Sequence, residues 1–384
     1  MTHETDVIVV GAGIAGASLA AFLSESHRVL LLEAESQPGY HSTGRSAAMF
    51  MESYGTPMIR ALTRASRAFY TAPPAGFCAA PLISPRGAMY VGTPAQHDLL
   101  DQTEAELRPH TPNLKRLTAA EAIARVPMLR AEQVGGALLD PDAADIDVHA
   151  LHQGFLRRAK ANGTRIVCDA RISGLQRREG LWHVHSVAGD WRAATVVNAA
   201  GAWAETLAQL AGLPPIGLQP KRRAAFLFAP PAGVDCASWP CVCGVDVDEG
   251  EGWYFKPDAG VLLGSPANAD PVEPHDVRPE ELDIATGIAR IEEMTTLQIR
   301  RPSHTWAGLR SFVADGDVVA GFDPLAPGFF WLAAQGGYDI QTAPAMGELC
   351  AAWVRGEATP APIAAAGVEA AYLHVDRLRR QSDS

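Results

Sequence analysis

The sequence has no block of like charge. Its 32 basic residues are scattered among 43 acidic ones, giving a net charge of −11 at neutral pH. A chain of that sign without a basic patch is not built to hold nucleic acid or an anionic membrane surface. Long apolar runs are missing too: no stretch approaches the roughly 20 residues of a membrane-spanning helix, so no transmembrane segment is expected. Cysteine is sparse, at positions 78, 168, 236, 241, 243 and 350, and no two form a CxxC unit. The Cys241-x-Cys243 pair beside Cys236 lacks a second half-site, which favours small buried apolar side chains over a metal or redox centre. His183-x-His185 shares one strand face but has no third ligand nearby in sequence, so no metal is expected. The opening MTHETDVIVVGAG enters an apolar strand without a charged leader or cleavage site, and a cytoplasmic, reduced protein is the expectation.

What is present is enough apolar sequence for two domains: 384 residues, 47% of them hydrophobic. Residues 6–10 (DVIVV), the helically spaced GAGIAGASLAAFLSES and RVLLLEA at 28–34 read as strand, helix, strand, the opening unit of a parallel sheet. Beta patterns return at 164–178 and 181–203. From Pro215 the character changes: AAFLFAP, GWYFKPD and GVLLGS suggest strands of a more antiparallel sheet joined by Gly, Pro and Asp turns. Residues 282–297 read as a helix, and the chain closes on strand, glycine turn and helix. The predicted fold class is α/β with an α+β second domain: a Rossmann-like nucleotide domain discontinuous over 1–80, 146–214 and 305–375, and a substrate domain over 81–145 and 215–304 on a mixed, largely antiparallel sheet.

Gly11-x-Gly13-x-x-Gly16 follows a strand and opens a helix, with Glu33 at the end of the next strand. Gly11 permits the tight turn and Gly13 admits a pyrophosphate to the backbone. Gly16 allows close packing, and Glu33 accepts ribose hydroxyls. Ala12, Ile14, Ala15 and Ala34 complete the contact set of this turn. Shortly after Glu33 the run GYHSTGRSAAMF supplies Ser42, Thr43, Arg45, Ser46, Ala47 and Ala48, short donors and small surfaces that can pack beside a flavin and its phosphates. A second glycine turn, Gln335-Gly336-Gly337, precedes a helix starting near Gln341 and can direct backbone N–H groups at a flavin carbonyl. Two such turns so far apart favour a long cofactor, FAD, over NAD.

With these residues in hand the chain resembles the FAD-dependent D-amino-acid oxidase and glycine oxidase family, and within it the bacterial D-arginine dehydrogenases. GAGIAGAS, GYHSTGRSAA, ADIDVHALHQG, VVNAAGAW, LQPKRR, LLGSPANADPVE, TWAGLRSFVADGD and AAQGGY carry the likeness over nearly the whole length. The resemblance implies FAD held without a covalent bond. It adds Ile172, near the adenine, to the cofactor contacts, with Ala200, Gly201, Gly308, Arg310, Tyr338, Asp339 and Ile340.

Read from pattern alone, Arg223 and Arg310 are either surface residues with stems over apolar neighbours or a carboxylate clamp. The resemblance implies the clamp. It likewise places Tyr54 and Tyr254 at the substrate pocket, whereas their pattern, like that of Tyr338, also suits half-buried aromatic packing. Two departures bear on specificity. Ala88 stands where D-arginine dehydrogenases have a glutamate that pairs with the substrate guanidinium, and Met49 replaces a histidine. A cationic side chain there loses its charge partner, so neutral or apolar side chains are expected to be preferred over D-arginine. Asp339 stands where the family commonly has glycine and reads as a helix cap or as a polar contact to substrate or flavin. The acidic run Asp246, Asp248, Glu249, Glu251 reads as a solvated hairpin or as an alternative recognition element for a cation.

The implied reaction is oxidative deamination of a D-amino acid to the imino acid, which water converts to the 2-oxo acid and ammonia. Burial beside two arginines favours the neutral amine, so no general base is assigned; His304 is one candidate. The same clamp would serve a secondary-amine oxidase acting on sarcosine-like or imino-acid substrates, and a flavoprotein electron-transfer subunit is a further alternative. The electron acceptor (oxygen, a quinone or a dye-like compound) and the choice between monomer and homodimer are open at this level.

Overall fold

The computed structural model describes residues 3–246 and 252–381. Two large sheets organise them. In the first, the strand His3–Val10 pairs in parallel with Val29–Leu32 on one side and Gly189–Asn198 on the other. Arg165–Val167 continues the sheet beyond Val29–Leu32, and Phe329–Ala333 joins in parallel along the second half of Gly189–Asn198, followed by Val319–Phe322. The hairpin Ile172–Arg178 and Leu181–Ser186 occupies the first half of the same edge.

Apolar residues run without alternation through these strands because both faces are covered. Val7, Val9, Val29 and Leu31 pack against the helices Ile14–Leu23, Val148–Ala161 and Asp339–Val354, while Ile8, Val10, Leu30 and Leu32 meet Trp182, Trp331 and Leu207 on the other side. The helices cross closely: a Cβ on Gly347 would lie 2.8 Å from the backbone of Ser18.

The second sheet runs in the order Lys115–Leu117, Gly136–Asp140, Ala88–Gly92, Cys241–Gly244, Tyr254–Asp258, Val261–Ser265, Gln219–Phe228, with Asp270–Pro271 beside the start of the last strand. It is antiparallel except where Cys241–Gly244 pairs in parallel with Ala88–Gly92, and is therefore mixed as expected. Period-2 alternation divides its faces. Met89, Val91, Phe226, Phe228, Val242 and Phe255 pack under the helix Glu281–Met294. Ala88, Tyr90, Cys243, Tyr254, Arg223 and Arg310 share the opposite face by register.

The strand His304–Phe312 corrects the segment assignment drawn from sequence. It pairs with Gln219–Phe228 along nine register positions, from Gln219 opposite Phe312 to Leu227 opposite His304. Residues 305–312 thus belong to the second sheet and not to the nucleotide segment 305–375. The free edge of this strand meets the first domain, where Gly336 N donates to Ser311 O at 2.9 Å. A small third sheet of Met49–Phe50, Ala144–Ile146 and Ile83–Pro85 lies at the junction. Among the described residues no helix is long and apolar enough to cross a membrane.

Candidate functional site

The glycine turn after the first strand is sterically obligatory. Gly11 has φ +103°, and a Cβ there would lie 2.3 Å from Ala199 O; one on Gly16 would lie 1.9 Å from Gly11 O. Glu33 is buried, with Oε2 accepting from Ala12 N at 2.9 Å and Oε1 from Glu35 N at 3.0 Å. Its carboxylate therefore fixes the turn while keeping lone pairs toward the cleft. Thr43 Oγ1 accepts from Ile14 N at 3.0 Å, which makes it a cap for the first helix as much as a ligand contact.

His152 escaped the sequence reading although it lies in ADIDVHALHQG. It is buried, its Nε2 donates to Ala12 O at 2.9 Å, and burial lowers its pKa so that the ring is neutral. A Cβ on Gly39 would meet its ring at 2.8 Å, so one imidazole supports both the glycine turn and the start of the GYHSTGRSAAMF segment.

An elongated cleft of about 1270 Å³, counting the space open to solvent, runs from this turn to the second one. One end is bounded by Glu33, Ala34, Ala170 and Ile172; Gly11, Gly13, Ile14, Ala15, Ala200 and Gly201 line its middle; Leu309, Ser311, Gln335, Gly336 and Asp339 bound the other end. Gln335 is buried there, and neither its amide nitrogen nor its oxygen has a hydrogen-bond partner among the described residues. A buried amide without partners is costly unless a polar ligand completes it. Ala334, just before it, is held at φ +56°, a strained conformation of the kind found at ligand sites. An acid at one end, glycines that admit a diphosphate, two helix N-termini and an unpartnered amide at the far end together fit FAD.

Some expected cofactor residues are engaged elsewhere. The Arg45 guanidinium turns toward the second domain: Nη1 donates to Val277 O at 2.9 Å and Ala307 O at 3.2 Å, and Nη2 pairs with Asp276. It is a clasp between domains and is not free to meet a phosphate. Ser42 Oγ donates to Leu309 O at 2.6 Å, and Trp306 Nε1 to Arg45 O at 2.9 Å, so the whole segment is stitched to the strand His304–Phe312. Ala12 and Gly16 support the glycine turn from outside the lining residues, as do Ile340 and Gly337 at the second turn. Ser46, Ala47, Ala48 and Gly308 also lie outside the lining; Ala48 O accepts from Ile146 N at 3.3 Å, and the Gly308 position faces Arg45. The second helix begins at Asp339, two residues earlier than expected, with Tyr338 as its N-cap.

Beside the far end sits Arg310. Nη1 donates to the Tyr54 hydroxyl at 3.3 Å, and the guanidinium packs so closely on Gly337 that a Cβ there would lie 2.6 Å from Cζ. Burial works against its charge, yet the surrounding phenols Tyr54, Tyr254 and Tyr338 outweigh this and hold its pKa above the usual value. No salt-bridge partner of Arg310 is found among the described residues. The rings of Tyr54 and Tyr338 lie 5.0 Å apart. Arg223 shares the sheet face, and its Nε donates to Asn268 O at 2.6 Å.

Ala88 is fully buried, in a cluster with Tyr90, Leu138 and Cys243 against which Met49, Met51 and Tyr254 pack. The buried Asp140, opposite Ala88 in register, accepts from Ser53 Oγ at 2.7 Å and from Asp142 N at 3.0 Å, and burial raises its pKa. Cys241 in the same row is an inert thiol, pushed up to about 12 by burial. Asp246 accepts from Gln96 Nε2 at 2.9 Å, while Asp248, Glu249 and Glu251 lie outside the described residues.

Asp339 is the first residue of its helix and bounds the cleft. Burial raises its pKa to about 6 against the opposing pull of the Ile340 N–H, Arg310 and its own N–H. Behind it, the Tyr70 hydroxyl donates to Ile340 O, and burial keeps that phenol protonated.

Fold and cleft define an FAD-binding oxidoreductase. The chain belongs to the family of FAD dependent oxidoreductases designated DAO, which it matches over residues 6–353. It is similar to FAD-dependent oxidoreductase domain-containing protein 1 of Bos taurus, at 23% identity over 92% of this chain and 81% of that protein. Among solved structures it resembles L-proline dehydrogenase from P. horikoshii, with a TM-score of 0.82, 20% identity and 99% of each chain covered. Glycine oxidase from Geobacillus kaustophilus superposes with a TM-score of 0.78 at 21% identity, covering 94% of this chain and 98% of that one.

Proposed function

We propose that this oxidoreductase oxidises the α-carbon–nitrogen bond of D-amino acids and favours neutral or apolar side chains over D-arginine. The observation that carries the reading is Arg310: a cation ringed by three tyrosines, with no carboxylate at salt-bridge distance among the described residues, beside the far end of the FAD cleft. A small carboxylate is the counter-ion such a group lacks. Arg223 lies on the same sheet face, so the two guanidiniums can hold one carboxylate from two directions, with Tyr54 and Tyr254 adding hydroxyl contacts.

When bound, FAD supplies the two-electron acceptor for the α-carbon hydride. The residues of the chain orient the substrate for that transfer and exclude water from it. Two fixed cations beside the amine favour its neutral form, which provides the lone pair for the C=N bond. The imino acid then hydrolyses to the 2-oxo acid and ammonia. The apolar preference is supported by the buried cluster of Ala88, Tyr90 and Leu138 with Met49 against it, whose neighbouring acid, Asp140, is already bonded to Ser53 Oγ and Asp142 N. The D configuration and the likeness to D-arginine dehydrogenases rest on sequence motifs. Recognition of a cation by Asp246 is not supported, since that carboxylate is bonded to Gln96.

The test is anaerobic reduction of the FAD-loaded protein by matched D- and L-amino acids, with proline and sarcosine included. Bleaching by D-leucine, D-methionine or D-phenylalanine and only weakly by D-arginine is the expected result. Preferential bleaching by sarcosine or proline would assign a secondary-amine oxidase, and no bleaching by any of them would overturn the amino-acid reading.

A further inference from the structure

The N-terminus of the helix Asp339–Val354 opens onto the flavin end of the cleft. A helix start carries about half a positive charge and favours negative charge placed before it. Reduction of a flavin, like addition of an anion to its ring, builds such charge, so a bare helix terminus here would stabilise the reduced cofactor. This chain puts a carboxyl group at that terminus. Asp339 lies in the first turn, bounds the cleft and interacts with the N–H groups of its own residue and Ile340.

Its surroundings do not neutralise it. Tyr70, from the helix Pro57–Thr71, donates its hydroxyl to Ile340 O. Arg310, from the strand His304–Phe312, is the one cation among the described residues that acts on Asp339 appreciably, and it lies beyond salt-bridge distance, against the tyrosines and the face of Gly337. Tyr54, Tyr254 and Tyr338 are the remaining titratable groups around Arg310 among the described residues. The acid Glu33 lies at the opposite limit of the cleft.

We propose that Asp339 is an electrostatic tuning residue for the bound flavin: its carboxylate offsets the positive helix terminus and disfavours negative charge on the ring system. The wild-type flavin then has a lower two-electron potential and a weaker affinity for sulfite, an anion that adds to oxidised flavin, than the same site without the charge. This rests on FAD in the cleft and not on the identity of the substrate.

The experiment compares FAD-loaded wild type with Asp339→Asn, Asp339→Gly and Asp339→Glu at neutral pH, by sulfite titration of the flavin absorbance and by dye-equilibration potentiometry. Asn and Gly should tighten sulfite binding about tenfold and raise the potential by about 30 mV, the equivalent of that factor for a two-electron couple. Glu, which keeps the charge, should stay within about threefold of wild type. Unchanged sulfite affinity and potential in a fully loaded Asn or Gly variant overturns the proposal. Should both neutral variants fail to load FAD, Asp339→Ser takes their place in the same two measurements, with tighter sulfite binding and a raised potential expected and unchanged values overturning the proposal. No amino-acid substrate enters these measurements, so they stay readable if the D-amino-acid assignment fails.

Discussion

Replacing Arg310 and Arg222 by methionine should have opposite consequences, although the two side chains lie one register position apart on paired strands, on opposite faces of the sheet. Arg222 is buried against acids: Nε donates to Asp283 at 2.8 Å, Nη1 pairs with Glu280, and Asp270 lies 3.6 Å away. Removing it strands buried Asp283 without its cation, a loss of about 3–5 kcal/mol. Arg310 has one long hydrogen bond, at 3.3 Å to Tyr54, and no acid partner among the described residues. Its removal forfeits about 1 kcal/mol of hydrogen bonding and relieves a half-buried charge, so stability should stay within about 1 kcal/mol of the parent. In the proposed function the substrate carboxylate, however, loses two charge-assisted bonds worth together about 4 kcal/mol, roughly a thousandfold in kcat/KM. Urea unfolding of both variants, with kcat/KM for D-leucine and a dye acceptor, checks the pair. Arg222→Met should be unstable but, where folded, active; Arg310→Met should be stable but inactive. An Arg310→Met enzyme with kcat/KM within tenfold of wild type would refute the carboxylate-anchor argument.

Gly11→Ala places a Cβ 2.3 Å from Ala199 O on a backbone of φ +103°. The conformational strain alone is about 1–3 kcal/mol, and the purified variant should have a sub-stoichiometric FAD content with a lowered Tm. Asp339 has a folded-state pKa of about 6 against the ordinary 3.8, so the stability it permits is fully present below pH 3.8 and is lost as the pH rises through about 6. The apoprotein of Asp339→Asn should therefore gain on wild type between pH 4 and 7, by at most about 3 kcal/mol and by less in proportion to solvent access; pH-resolved thermal melts measure the difference. Ala88→Glu, at a fully buried position, should destabilise the free enzyme while raising the D-arginine to D-leucine ratio of kcat/KM about tenfold, the value of a contact of about 1.4 kcal/mol.

Much of this architecture is legible in the chain because its signals are local. The glycine turn, Glu33 and the apolar strands around them need only a few residues of context, and the period-2 runs after Pro215 declare the second sheet. What escaped has non-local causes. The strand His304–Phe312 reads like any strand, and only its partner, Gln219–Phe228, assigns it to a sheet. Arg45 stands among plausible phosphate donors, but the acid that claims it, Asp276, lies 231 positions away. His152 is unremarkable in a helical pattern until the fold delivers the carbonyl of Ala12 to its ring, 140 positions away in sequence. Gln335 is visible in the glycine turn, whereas its lack of a hydrogen-bond partner among the described residues becomes apparent only once it is buried.

The edge strand His304–Phe312 addresses two neighbours with alternate residues: Leu309 and Ser311 bound the cofactor cleft, and Arg310 between them meets the tyrosine ring. Alternation along a strand is all or nothing, since a slip of one residue exchanges every side chain between faces. A single-residue insertion or deletion in this strand would therefore exchange the residues facing cofactor and tyrosine ring at one stroke, leaving no intermediate in which one survives. The strand is in effect a reading frame shared by two messages. Divergence toward new substrates has to proceed through elements that carry only one.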